Sequence, residues 1–335
     1  MAAQTAQILV EDDDGLDSAY GGDDIASETA TLQSAVREYT YNNGRRYNSY
    51  QAGKYCAIDT LNERGPNDET HQDSLDISHH IFRLTFDGKL FLAPIGPTPQ
   101  RVLDIGTGTG IWPIQFADEH PSATVTGNDL SPIQPTVIPP NLQFEVDDFE
   151  LEWTYTKESF DFIHARALYG SVSDYSKLYQ QVKDHLKPGG WFEQTEVGVV
   201  PYSDDDTIKG TTLEHWGELS LTAGDKFGKT LRIVDQTKEL MEAAGFINVT
   251  YQKFKWPIGP WPKDRKLKEI GLYNRVNWEQ GMEGWLMFLF TTYHGWTADE
   301  VRVHIAKTRK LLRSKDVHTY QLISCCYGQK PPESK

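Results

Sequence analysis

The chain has 335 residues, enough to bury a large core in one elaborated domain or two small ones. Its formal net charge of −15 sets up a field that repels nucleic acid and acidic membrane surfaces, which argues against direct nucleic-acid binding. Cys56, Cys325 and Cys326 are too few and too badly spaced for a disulfide framework or a zinc site, no apolar run reaches membrane-spanning length, and residues 1–10 lack the pattern of a signal peptide. A reducing compartment, cytosol or nucleus, is expected.

Residues 1–34 hold much of the acidity (Glu11, Asp12, Asp13, Asp14, Asp17, Asp23, Asp24) and few apolar side chains, so they read as a disordered acidic tail. Residues 35–99 read as an N-terminal helical lid. They open with an aromatic, basic segment containing Tyr47, Tyr50 and Tyr55, and continue over 67–92 with Leu75, Ile77, Ile81, Phe82 and Leu84 near helical spacing. His79 and His80, being adjacent, point in different directions on a helix, so one packed and one solvated histidine is the better reading than a metal pair.

From residue 101 strands and helices alternate. Strands are expected at 101–105, 124–127, 142–146, 160–164 and 191–197, and helices at 111–119 and 174–186, with a turn at Lys187-Pro188-Gly189-Gly190. This is the signature of a doubly wound α/β sheet, whose ligand lies beyond the carboxyl ends of the strands at the switch point beside the first one. There the chain reads Asp104-Ile105-Gly106-Thr107-Gly108-Thr109-Gly110. Glycine permits both a tight turn and the close approach of a ligand to bare backbone. The spacing is not the G-x-G-x-x-G of dinucleotide folds, no P-loop lysine follows, and an acid at the mouth repels phosphate while suiting a cation. S-adenosylmethionine (SAM), with a sulfonium, an ammonium and no phosphate, answers that description. Asp129 at the end of the second strand is placed to accept the ribose hydroxyls, and Asp148 with Phe149, at the end of the third, to meet the adenine.

A long helical stretch is expected over 211–244, a strand over 245–251, and then an excursion over 256–313 before a last strand at 319–327. The excursion carries Trp278, Trp285, Met287, Phe288 and Phe290, the makings of a helical cap over the active site. Its Lys263-Asp264-Arg265-Lys266-Leu267-Lys268 run reads as a solvated helix start rather than a nuclear signal.

Residues 101–110, Gly127 through Pro135, Phe160 through Arg166 and Leu186 through Trp191 resemble the class I SAM-dependent methyltransferases. More narrowly the chain is similar to the fungal LaeA-like methyltransferases, through residues 47–55, 67–92, 259–262 and 327–331 as well. The resemblance implies a seven-stranded Rossmann-like sheet with its last strand antiparallel, over 100–330. It also implies a cofactor site at Asp104, Gly106, Thr107, Gly108, Gly110, Asp129, Leu130, Asp148, Phe149 and Arg166. One departure is the proline-rich stretch 132–140 in place of a regular second helix.

Methyl transfer requires the nucleophile to be held in line, water to be excluded and, for a phenol or ammonium acceptor, a base. His164 is the nearest base by sequence, and Tyr50 a candidate aromatic cover for the methyl group. The chain lacks an Asn-Pro-Pro-Tyr signature after strand four, which argues against DNA-adenine or glutamine-amide methylation. Glu193 and Glu196 are spaced like a pair that grips a guanidinium but read better as rim residues of strand five. The acceptor is left open between protein, peptide and small molecule. Three roles follow: a LaeA-like regulator of secondary metabolism or development working with protein partners, a biosynthetic N- or O-methyltransferase, and a non-catalytic SAM-binding protein.

Overall fold

A computed structural model describes residues 7–8, 39–42, 45–48 and 69–333 of the chain. Seven strands form one sheet: β3 (Arg101–Ile105), β4 (Thr124–Asp129), β5 (Leu142–Val146), β6 (Phe160–Arg166), β7 (Leu186–Tyr202), β8 (Ile247–Pro257) and β9 (Tyr320–Gln329). Their order is β5-β4-β3-β6-β7-β9-β8, with β9 antiparallel to both neighbours. This is the seven-stranded sheet with an antiparallel last strand that the resemblance implies. Val102, Leu103 and Ile105 are fully buried, as a central parallel strand covered on both faces requires. The chain leaves β3 toward β5 and returns through β6 on the other side, so the switch point lies at the end of β3.

Helices α2 (Ile111–Glu119), α3 (Tyr175–His185), α4 (Trp216–Phe227) and α5 (Ile233–Ala243) flank the sheet. One core layer joins β3 and β6 to α3 and α5 through Leu103, Ile163, Val182, Phe192 and Met241. The opposite layer joins Val102, Val125 and Phe162 to Trp112 and Phe116 of α2. Between β8 and β9 the chain forms α6 (Arg265–Tyr293) and α7 (Ala298–Leu312), which enclose a third core with α4 through Trp216, Leu286, Phe290 and Ile305. Asp264 caps α6 by accepting from Leu267 N, and Thr297 with Glu300 forms a capping box on α7. Among the described residues no helix is long and apolar enough to cross a membrane.

Several local expectations are corrected. The lid is not helical throughout: Tyr39–Asn42 (β1) and Arg45–Asn48 (β2) pair as antiparallel strands. Helix α1 is Glu69–Thr85 and stops short of residue 92, because Asp87 adopts φ 53° and the Gly88 amide bonds back to Arg83 O at 2.7 Å, a Schellman cap. The helix expected over 211–244 breaks at Gly228, which takes φ 81° and closes α4. The turn at 187–190 is absorbed into β7 as a bulge: Phe160 pairs with Leu186, yet Phe162 pairs with Trp191. Within the acidic tail, Ile8 is buried against Trp261 and Tyr320 rather than solvated.

Candidate active site

The strand β3 delivers Asp104 to the carboxyl edge of the sheet, and the glycine turn follows with φ 66° at Gly106, 58° at Gly108 and 81° at Gly110. Positive φ is the reason glycine is required at each. The turn is held by the end of β4: Thr107 N donates to Asn128 O at 2.9 Å, Gly106 N to Asn128 Oδ1 at 3.3 Å, and Gly108 N to Asp129 Oδ2 at 2.8 Å. The other oxygen of Asp129 accepts from Ser131 N at 2.8 Å. Burial pushes the Asp129 carboxyl up to about 6 against those amides. A carboxylate has about four lone-pair sites, so the amides of Gly108, Leu130 and Ser131 together still leave Asp129 acceptor capacity toward the cavity it lines.

That cavity has a volume of about 390 Å³, within the range of small-ligand sites. Asp104, Gly106, Thr107, Gly108, Asp129, His164 and Arg166 are on its wall. Four other expected residues are not. A Cβ on Gly110 would lie 2.4 Å from Phe144 Cζ, so this glycine serves helix–sheet packing. Phe149 is 1 % exposed in the core beneath Gly106, Leu130 is 2 % exposed, and Asp148 is buried with Oδ1 accepting from Glu150 N. Tyr50 and Tyr55 lie outside the described residues.

Asp104 is buried and accepts from Thr107 Oγ1 at 2.6 Å, while His164 Nδ1 lies 2.6 Å from its other oxygen. The imidazole stacks on Trp112 with centroids 3.8 Å apart and planes 1° apart. Burial lowers the His164 pKa, which Asp104 partly offsets. The neutral ring therefore carries its proton on Nδ1, toward Asp104, and its lone pair on Nε2, which has no partner among the described residues. The two histidines of α1 divide as expected: His79 is 3 % exposed and His80 is exposed.

Glu193 and Glu196 are corrected from rim to interior. Both are 0 % exposed. Glu193 Oε2 accepts from Leu92 N and Ala93 N at 2.7 and 2.6 Å, and Glu196 accepts from Leu168 N and Tyr169 N, each at 3.1 Å. Each carboxyl thus pins a backbone loop, and burial pushes both up to about 7. The loop under Glu196 contains Ala167 at φ 56° and presents Tyr169 edge-on to Trp285.

A family model described as a methyltransferase domain matches residues 77–251, more than half of the chain. The chain belongs to the class I methyltransferases. The methyltransferase is 40% identical over 310 residues to the methyltransferase pytC of Aspergillus terreus, covering 92% of this chain and 93% of that one. It is 35% identical over 298 residues to the secondary metabolism regulator LAE1 of Cochliobolus heterostrophus, covering 87% and 94%. It is 32% identical over 304 residues to the protein-methionine methyltransferase laeA of Emericella nidulans, covering 89% and 78%. Among solved structures, the Haemonchus contortus phosphoethanolamine N-methyltransferase 2 aligns with a TM-score of 0.44 and 24% identity over 78% of this chain and 60% of that one.

SAM is the cofactor of the methyltransferase, and the residues present fit it. Gly106 and Gly108 stand on the cavity wall without side chains, so the turn presents backbone to a ligand there, between Asp104 and Asp129. The cavity continues past the turn into a lobe lined by Trp216, Trp256, Trp278 and Trp285, with neutral polar groups at Ser78, Asn277, Gln280 and Gln321. Sequence reasoning missed these polar residues, because they come from α1, α6 and β9, far apart in the chain. Among them Gln280 Oε1 is buried with no hydrogen-bond partner among the described residues.

Proposed function

We propose that the chain transfers a methyl group from SAM to a small, uncharged acceptor seated in the aromatic lobe, as a biosynthetic methyltransferase. The observation that carries this reading is the single cavity joining the glycine turn to that lobe, where indole faces and neutral amides, rather than charges, meet an incoming molecule. When bound, SAM supplies a methyl group on a positively charged sulfur, activated for in-line displacement. The chain's part is to hold and to enclose. Gly106 and Gly108 give backbone contact, Asp129 accepts from the ribose, and α1 covers the turn through Leu75 and through Thr109 Oγ1 donating to Asp76 Oδ1 at 2.7 Å. Such positioning contributes roughly 7–11 kcal/mol toward the barrier. An acceptor that loses a proton gives it to His164 Nε2, the imidazole being oriented through Nδ1 by Asp104.

A second reading is kept by the relatives named as secondary metabolism regulators: methylation of a protein acceptor in a regulatory complex. Incubating the full chain with methyl-labelled SAM and a size-fractionated fungal extract separates the two. Label in the low-mass fraction supports the biosynthetic reading; label confined to protein overturns it in favour of the regulatory one. Calorimetric titration with SAM and with NAD, repeated on Asp129→Ala, tests the shared premise. Saturable SAM binding weakened by the substitution, with NAD silent, is expected, and a folded chain that ignores SAM would refute both.

A further inference from the structure

Gln321 stands on the wall of the aromatic lobe, 3 % exposed, on β9 directly opposite Trp256 of β8. Its amide has a fixed sense. Trp278 Nε1 donates to Gln321 Oε1, and an indole nitrogen can only donate, so the oxygen is turned to Trp278 and the nitrogen away from it. Gln321 Nε2 is not sealed from the cavity and has no protein partner among the described residues, so its N–H groups are offered there. An enclosed donor left unmade costs about 1–3 kcal/mol, a cost that an oxygen on a ligand removes.

The surroundings of that donor are flat and apolar. Trp256 turns its own N–H to Thr85 Oγ1 at 2.7 Å and Trp278 turns its N–H to Gln321, so both indoles give the lobe carbon surface rather than further donors. Trp216 packs on Trp278 with centroids 5.0 Å apart, and Tyr169 sits edge-on to Trp285 at 5.6 Å. Walls of this kind favour an aromatic or conjugated ring, by offset stacking and edge contacts. Room for it is left by Gly281 of α6, which lies on the same cavity wall with nothing within 4 Å of its Cβ position. Glycine inside a helix costs about 0.5–1 kcal/mol relative to alanine, and no crowding neighbour accounts for this one.

We propose that Gln321 is a specificity-determining residue of the acceptor lobe: it donates to a carbonyl oxygen on a flat conjugated acceptor, for which Gly281 leaves room. The inference rests on the biosynthetic reading and gives its acceptor a chemical class. A neutral donor among indoles selects a neutral oxygen over a carboxylate, because no cation stands beside it to meet a full charge.

The test is calorimetric titration of the full chain, saturated with S-adenosylhomocysteine, with coumarin and with 2H-chromene, which keeps the ring system and lacks the carbonyl. Wild type is expected to bind coumarin about tenfold more tightly than 2H-chromene, the worth of one enclosed hydrogen bond. Gln321→Met is expected to bind coumarin no better than 2H-chromene, and Gly281→Leu to bind neither. Both variants are expected to bind S-adenosylhomocysteine as wild type does, which also shows that they are folded. Equal affinity of wild type for the two probes overturns the assignment, as does a preference for coumarin that survives in Gln321→Met. Wild-type affinities retained by Gly281→Leu overturn the place given to α6, and a loaded wild-type chain that binds neither probe overturns the acceptor class. Failure of the biosynthetic reading is seen separately, as label confined to protein in the extract assay, and failure of wild type to bind S-adenosylhomocysteine removes the methyltransferase premise itself.

Discussion

At the scale of single residues, the three glycines of the turn do different work although each has positive φ. Gly108 is on the cavity wall and its missing Cβ would meet only the flexible end of Leu75, at 3.2 Å. Gly110 faces away, with Phe144 ring atoms at 2.4 and 2.9 Å from a Cβ. Gly110→Ala is therefore expected to cost about 3 kcal/mol, from left-handed strain and overpacking together, and to spare the affinity of the folded fraction. Gly108→Ala is expected to cost only about 1–2 kcal/mol of strain while weakening cofactor binding. Denaturant unfolding paired with titration of S-adenosylhomocysteine checks both, and equal loss of affinity in the two variants would place Gly110 against the ligand after all. From sequence the three glycines look alike, because what separates them is Phe144, which enters from the third strand of the sheet's pattern and not from the motif.

At the scale of elements, helix α6 shows how the cap is seated. The Gly271 Cα packs against the loop after β8: Gly259 N donates to Gly271 O at 3.0 Å, and a Cβ on Gly271 would lie 2.0 Å from Gly259 O. Backbone cannot swing aside as a side chain can. Gly271→Ala should cost about 3 kcal/mol or more and loosen the cap from the sheet. Gly281 lies in the same helix with nothing within 4 Å of its Cβ position, so Gly281→Ala should instead stabilise by about 0.5–1 kcal/mol through helix propensity. Opposite signs in thermal unfolding are the expected result; a loss of stability in both would mean that propensity, packing or both have been misjudged for this helix. Element types were legible wherever periodicity was strong, as in α2, α3 and the buried strands. Endings were not, because they depend on particular dihedrals: Asp87 closing α1, Gly228 closing α4. The bulge in β7 was hidden for a related reason, since Pro188-Gly189-Gly190 is turn chemistry in sequence and only the pairing of Phe162 with Trp191 carries the strand across it.

Over the whole molecule, buried titratable groups pull stability in opposite directions with pH. His79, held at about 3, and His164, also lowered, are neutral in the fold, so protonating the unfolded chain below about 6.5 weakens the protein in acid. Glu193 and Glu196, raised from 4.5 to about 7, act the other way: the fold favours their protonated forms, and the stability this confers is present below 4.5 and is lost as pH rises through 7. None of this was legible in the sequence, where both glutamates looked like rim residues, because their burial depends on the loops at Leu92 and Leu168 folding over them. Glu193 lends itself to an isolated test. Both amides converge on Oε2, so a carboxamide can keep the two accepted bonds while losing the charge. A shift from 4.5 to about 7 corresponds to about 3 kcal/mol, at roughly 1.4 kcal/mol per unit. The stability of Glu193→Gln minus that of wild type, from denaturant unfolding at a series of pH values, should therefore climb by about that amount between pH 4.5 and 7 and level off above. A flat difference curve would show that the Glu193 carboxyl ionises as it does in water, and that the loop at Leu92 and Ala93 is held by a solvated anion rather than by a buried acid.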